Sequence, residues 1–130
     1  EQYPKGLGPM VRTIRDKLGP KTTAHEKLKF SAFIEPIRAE LAQLGTRSVL
    51  VCGNEAHVCV LQTCLDLADA GLVAAVVVDA IGSRRESDLQ PAVSRMIQAG
   101  VIPTTVESAL FEIAHEAAGD RFKSLLPIVK

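Results

Sequence analysis

The organising pattern of hydrophobic and polar positions lies between residues 48 and 71. A short apolar, β-branched run over 48–52, SVLVC, has the length of a strand buried on both faces. Gly53 breaks it, and from about Val58 the period changes. Leu61, Cys64, Leu65 and Ala68 then fall at i, i+3, i+4 and i+7, with Gly71 where a C-terminal cap belongs. The pattern predicts strand, tight turn and helix, with Cys59 in the helix's first turn.

The remaining segments continue the alternation. Residues 1–8, EQYPKGLG, read as a strand end running into a loop, and 9–18 as a helix closed by Gly19-Pro20. The polar stretch 21–29 holds a possible short strand at 24–28. A helix is predicted over 30–44, capped by Ser31, with Pro36 in an early turn and Ile34, Ile37, Leu41 and Leu44 spaced for burial. A second doubly buried strand, 73–80, places Asp79 at its carboxyl end, and 82–85 form a loop. Ser87 caps a helix running to Ala99, and 101–106 make a third strand. A helix over 107–117 turns Leu110, Ile113 and Ala114 inward, and a short helix spans 121–126.

Strands alternating with helices imply parallel pairing through right-handed crossovers, hence an α/β three-layer sandwich with a mainly parallel sheet. Functional groups in such folds collect at the carboxyl ends of strands, which here means 54–59 and 79–85. With 130 residues and no repeat, low-complexity tract or linker, residues 1–130 read as a single domain.

Composition narrows the function classes. Fifteen basic residues balance fifteen acidic ones, which leaves no electrostatic footprint for nucleic acid or for a membrane surface. No apolar run has the length of a membrane span, and no signal peptide is visible. Three cysteines without framework spacing point to a reducing compartment, the cytoplasm or an organelle matrix. Cys52, Cys59 and Cys64 match no zinc spacing, and His25, His57 and His115 are scattered, so no metal and no other cofactor is expected.

The candidate chemistry centres on Cys59. Unpaired N–H groups and the positive end of the helix macrodipole stabilise a thiolate there, and can also stabilise an oxyanion if that thiolate attacks a carbonyl. At 100° per residue Cys59 aligns with the polar stripe of Gln62, Thr63 and Asp66, whereas Cys64 on the apolar stripe and Cys52 in the strand read as inert core thiols. A packing role for Cys59 stays open on pattern alone. Lys27 and Lys29 are either solvated loop lysines or a charge that stabilises the thiolate. Glu55 and His57 are candidate bases, and a Cys59–His57 dyad is one further arrangement. Asp79 and the arginines after it either brace the loop or touch substrate.

Taken together these residues resemble a known family. GNEAHVCVLQTCLDLADAG is similar to the nucleophile segment of the isochorismatase-like cysteine hydrolases, which include nicotinamidases and N-carbamoylsarcosine amidohydrolases. KLKFSAF, from Lys27 to Phe33, resembles that family's catalytic-lysine segment. EQYPKGLG, VVVDAIGSR, TTVESALFEI and RFKSLLPIVK look most like its isochorismatase-domain-containing branch. The resemblance implies Cys59 as nucleophile, Lys27 as catalytic lysine, and a cis peptide between Asn54 and Glu55. It further implies an oxyanion hole formed by the Glu55 and Cys59 N–H groups. Tyr3, Phe30 and His57, beside the matched motifs, are candidate walls of the substrate pocket.

Two departures shape what is expected. The family's catalytic aspartate sits on a first, central strand, and no residue here matches it; a missing strand, helix and connections amount to roughly 35–50 residues at usual element lengths. The chain therefore reads as an N-terminally incomplete domain lacking the first strand and helix. Where nicotinamidases carry an Asp/His metal cluster, this chain has Glu1-Gln2-Tyr3-Pro4, so neither metal nor nicotinamide is expected. Members that cleave isochorismate itself generally lack the cysteine, which Cys59 argues against. The implied activity is thiol-dependent hydrolysis of a small amide-like C–N bond in a homo-oligomer acting on a small-molecule substrate. The alternative is a family member without turnover that binds a ligand or serves in an assembly.

Overall fold

Three parallel strands carry the structure, a computed structural model describing residues 1–20 and 22–129. Lys21, at the head of the polar stretch, and Lys130, the last residue of the RFKSLLPIVK segment, lie outside the described residues. Element order is α1 (Pro4–Leu7), α2 (Arg12–Leu18), α3 (Glu35–Gln43), β1 (Ser48–Asn54), a wide π-type turn (Ala56–Val60), α4 (Leu61–Asp69), β2 (Val73–Gly82) and α5 (Glu86–Gln98). β3 (Ile102–Thr104), α6 (Val106–Ala114) and α7 (Gly119–Val129) complete it. The sheet order is β1-β2-β3, and a parallel bridge, Gln2 to Lys27, stands apart from it.

The core lies between the sheet and α4–α5. Side chains alternate across a strand, so Val51 of β1 and Ala74 and Val76 of β2 share one face, against Leu61, Cys64 and Leu67 of α4 and Met96 of α5. Phe33 and Leu41 pack on the margin of this cluster. The opposite face is thinly covered. α6 lies over β2 and buries Ala109, yet Leu50 and Val73 remain 49% and 48% exposed. These two line an open cavity of about 510 Å³ with Ile102 and Ile113. Of the two strands predicted to be buried on both faces, β1 is buried on one, because no described helix reaches across it on that side, whereas β2 buries Val76 and Val77 on opposite faces. Cys52, on this uncovered face, is exposed rather than a core thiol.

Several boundaries differ from the sequence expectation for identifiable reasons. The 30–44 helix begins only at Glu35, with Pro36 in its first turn; Ser31 does not cap it but is buried in the preceding turn, accepting from Phe33 N at 3.1 Å. Ser87 lies inside α5, whose N-cap is Arg85. The third strand keeps three residues of the predicted six, since Thr105 leaves it to cap α6 by accepting from Ser108 N. α6 ends at Ala114 and exposes Ile113, while α7 is longer than predicted. Residues 1–8 contribute the Gln2 bridge and then a helical turn, and the 24–28 strand reduces to that same bridge at Lys27.

Candidate active site

β1 and β2 end side by side, and the site is built on their carboxyl ends. Their register runs from Ser48↔Val73 to Val51↔Val76, breaks, and resumes at Gly53↔Ile81 and Asn54↔Gly82. Gly53 adopts φ 127°, a conformation that a side chain would strain. The Asn54–Glu55 peptide that follows is cis. The chain then enters the π-type turn, where Glu55 O accepts from Val60 N at 3.1 Å. Cys59 sits in this turn, half-buried, immediately before α4 rather than within a regular first turn. The positive end of the α4 dipole therefore lies next to the sulfur.

Lys27 reaches the same point from the other side of the chain. Its Nζ lies 3.8 Å from Cys59 Sγ and donates to Gln2 Oε1 (2.6 Å), Phe30 O (2.7 Å) and Lys29 O (3.1 Å). The strand-like bridge fixes its backbone: Tyr3 N donates to Lys27 O, and Lys27 N to Glu1 O, both at 2.9 Å. Thr63 fastens the lysine loop to the cysteine turn. Its Oγ1 donates to Cys59 O at 2.6 Å and accepts from Ala32 N at 2.8 Å. Thr63 is consequently buried, although its place on the polar stripe predicts exposure.

Glu55 and His57 turn toward the β2–α5 connection. Glu55 Oε2 accepts from Arg84 N at 2.8 Å; His57 Nδ1 meets Ser83 Oγ at 2.9 Å, and its Nε2 is 3.7 Å from Asp88 Oδ2. Among the described residues no hydrogen bond joins His57 to Cys59. Of the three pocket candidates, Tyr3 lines a cavity of about 330 Å³ with Lys5, Glu26 and Lys27. Phe30 exposes its ring and lends its carbonyl to Lys27. His57 lines a different cavity of about 150 Å³, with Asp88 and Arg95. Lys29 contributes its carbonyl while its side chain takes no part in these contacts, and Asp79 Oδ1 accepts from Val106 N at the start of α6, bracing rather than reaching toward Cys59.

The three thiols are free and differ in surroundings. Burial without a polar partner pushes Cys64 up to about 11. Among the described residues, no group of three or more His, Cys, Asp or Glu is placed to hold a metal ion. Gln2 and Thr63 carry no signal in the sequence pattern: an isolated glutamine and a mid-helix threonine acquire their roles only from residues 25 and 31 positions away.

Comparison with known proteins follows the same lines. The family profile described as "Isochorismatase domain" matches residues 4–108. The chain is 40% identical over 133 residues to the "Secreted isochorismatase effector Isc1" of Phytophthora sojae (strain P6497), covering 99% of this chain and 63% of that protein. It is 42% identical over 132 residues to "Isochorismatase domain-containing protein 2" of Bos taurus, covering 100% and 62%. A solved structure, the MAR1 ribonuclease of Caenorhabditis elegans, superimposes with a TM-score of 0.94 at 41% identity, covering 99% of this chain and 66% of that one. The chain thus spans less than two thirds of the length of these relatives. With a family match over most of its length and the parallel α/β architecture that this family shares, the chain belongs to the isochorismatase family.

Proposed function

We propose that the protein is a cysteine-dependent hydrolase of a small amide-like C–N bond. Members of the isochorismatase family are hydrolases, and the observation that carries the finer reading is the 3.8 Å approach of the Lys27 ammonium to Cys59 Sγ beside the α4 N-terminus. A fixed cation and a helix dipole at one sulfur both favour the thiolate.

In this mechanism the thiol proton passes to an aspartate supplied by polypeptide outside residues 1–130, so that the domain these residues belong to is completed elsewhere in the protein. The Cys59 thiolate attacks the substrate carbonyl, and the Glu55 and Cys59 N–H groups receive the oxyanion. The tetrahedral intermediate collapses, the C–N bond breaks, and the proton goes to the leaving nitrogen, which departs as ammonia or an amine. Water attacks the thioester, yielding the carboxylic acid and regenerating the thiol. Lys27 keeps its charge throughout and balances the anion.

Tyr3, Lys5 and Glu26 border the cavity next to Lys27 and are the proposed substrate surroundings. No metal or cofactor enters any step. The name of the C. elegans relative raises RNA as a substrate; the balance of fifteen basic and fifteen acidic residues favours a small molecule. Homo-oligomerisation belongs to the proposal and is read from sedimentation of the full-length protein. Three free cysteines suit a reducing compartment such as the cytoplasm, and among the described residues no helix is long and apolar enough to cross a membrane.

The test is ammonia release by the full-length protein from a panel of small primary amides, with RNA hydrolysis assayed alongside. Activity lost on iodoacetamide treatment and in Cys59→Ser supports the reading; amide hydrolysis that survives both refutes it. A wild-type protein that hydrolyses no amide yet binds one favours the non-enzymatic alternative.

A further inference from the structure

We propose that Gln2 is a positioning residue that holds the Lys27 ammonium against Cys59 without bringing a carboxylate of its own, an inference that rests on the cysteine-hydrolase reading above. An ammonium has three N–H donors and no acceptor. Here three oxygens, Gln2 Oε1, Phe30 O and Lys29 O, take up that capacity, and the sulfur lies just beyond at 3.8 Å. The Lys27 ammonium is thereby fixed in place beside the sulfur.

Gln2 is the side chain that closes this cradle. Its amide is oriented from both ends: Nε2 donates to Leu28 O at 3.0 Å, which directs Oε1 onto Lys27 Nζ. Its backbone is held by the parallel bridge to Lys27 itself. All three acceptors are neutral dipoles, so they fix the ammonium without cancelling its charge. A glutamate in the same place would accept the same hydrogen bond and add a negative charge beside the ammonium. The choice of amide over carboxylate therefore matters for the sulfur that lies 3.8 Å from this ammonium, since a further carboxylate there would oppose negative charge on it.

Other charged groups lie nearby. Glu26 and Lys5 border the cavity beside Lys27, and the Glu1 carboxylate takes Met10 N and Arg15. Glu55 and His57, on the turn before Cys59, face Arg84 N, Ser83 and Asp88. These groups stay constant across variants at position 2.

The experiment follows iodoacetamide alkylation of Cys59 against pH, by peptide mass spectrometry, in the full-length wild type and in Gln2→Glu, Gln2→Leu and Lys27→Met, each first checked by circular dichroism. Lys27→Met is expected to move the alkylation profile to higher pH and to slow labelling at pH 7 by about tenfold or more, the change that loss of one nearby charge produces. Gln2→Glu should follow it despite keeping an acceptor, and Gln2→Leu should lie between the two and the wild type. A role confined to holding the strand bridge predicts that Gln2→Glu keeps the wild-type profile. That result, with Lys27→Met still shifted, overturns the inference while leaving the hydrolase reading standing. A profile unmoved in Lys27→Met overturns both. If Gln2→Leu does not fold, Gln2→Glu against Lys27→Met still decides the matter.

Discussion

Replacing Thr63 by valine should uncouple the lysine loop from the cysteine turn. The hydroxyl is bonded to both: it donates to Cys59 O at 2.6 Å and accepts from Ala32 N at 2.8 Å, in a residue only 8% exposed. Valine matches its shape and offers neither bond. Each lost hydrogen bond contributes about 0.5–1.5 kcal/mol net, and a buried N–H or carbonyl left without a partner costs about 1–3 kcal/mol. Allowing for partial relaxation toward solvent, Thr63→Val should destabilise by about 2–3 kcal/mol, against well under 1 for an ordinary surface change. Urea unfolding of the full-length protein followed by circular dichroism measures this directly. Thr63→Ser, which keeps the hydroxyl and gives up a methyl, should recover more than half of the loss. The same variants should differ at the site, with iodoacetamide labelling of Cys59 slowed severalfold in the valine protein, because residues 27–32 are no longer tied to the helix that follows the thiol. A valine variant within about 0.5 kcal/mol of wild type would mean that the bridge contributes nothing net, and that something other than Thr63 sets the separation of Lys27 and Cys59.

Four further outcomes follow from the same geometry. His57 is engaged by Ser83 and lies between Glu55 and Asp88, so His57→Ala should leave Cys59 alkylation at pH 7 within about threefold of wild type, which is below 1 kcal/mol in barrier; a hundredfold loss would restore the Cys59–His57 dyad. Cys64, held up to about 11 from 9.0 by burial, should resist iodoacetamide at pH 8 in the native protein while Cys52 and Cys59 are labelled, and a native Cys64 adduct on peptide mapping would contradict its placement. The sign of the linked stability change is fixed: below pH 9 the Cys64 thiol is protonated in both states, and between about 9 and 11 only the unfolded chain loses the proton. Stability should therefore decline across that window by on the order of 2–3 kcal/mol, a decline that Cys64→Val flattens and that urea midpoints at pH 8 and pH 10.5 can read. Asp79→Ala removes the carboxylate that accepts from Val106 N at 2.9 Å and should cost about 1 kcal/mol, as loss of a helix N-terminal acceptor does, without altering Cys59 labelling.

What was legible in the sequence is what local physics determines. The break at Gly53 and the change of period from about Val58 mark a strand-turn-helix unit because alternation and helical phase are properties of neighbouring residues; β1 and α4 follow in that order, with α4 starting at Leu61 after the π-type turn that holds Cys59. The juxtaposition of Lys27 with Cys59 is different in kind, since no spacing argument relates positions 32 residues apart; only the family resemblance pairs them. The errors share one cause. Ser31 and Ser87 are good capping residues by type, but a cap is decided by where the chain leaves the preceding element, and at Ser31 a buried turn takes the hydroxyl for Phe33 N instead. Thr63 falls on the polar side of the α4 pattern, yet a loop bonded to its hydroxyl buries it. Leu50 and Cys52 carry the apolar signature of a two-sided strand on a face that α6 does not reach. Apolar residues record that a surface is meant to be covered, and hydroxyls that a donor or acceptor is meant to be met. Neither names the partner. That explains why the nucleophile's local setting can be read from residues 48–71, whereas Gln2 and Thr63, which hold the two halves of the site together, emerge only once the chain is folded.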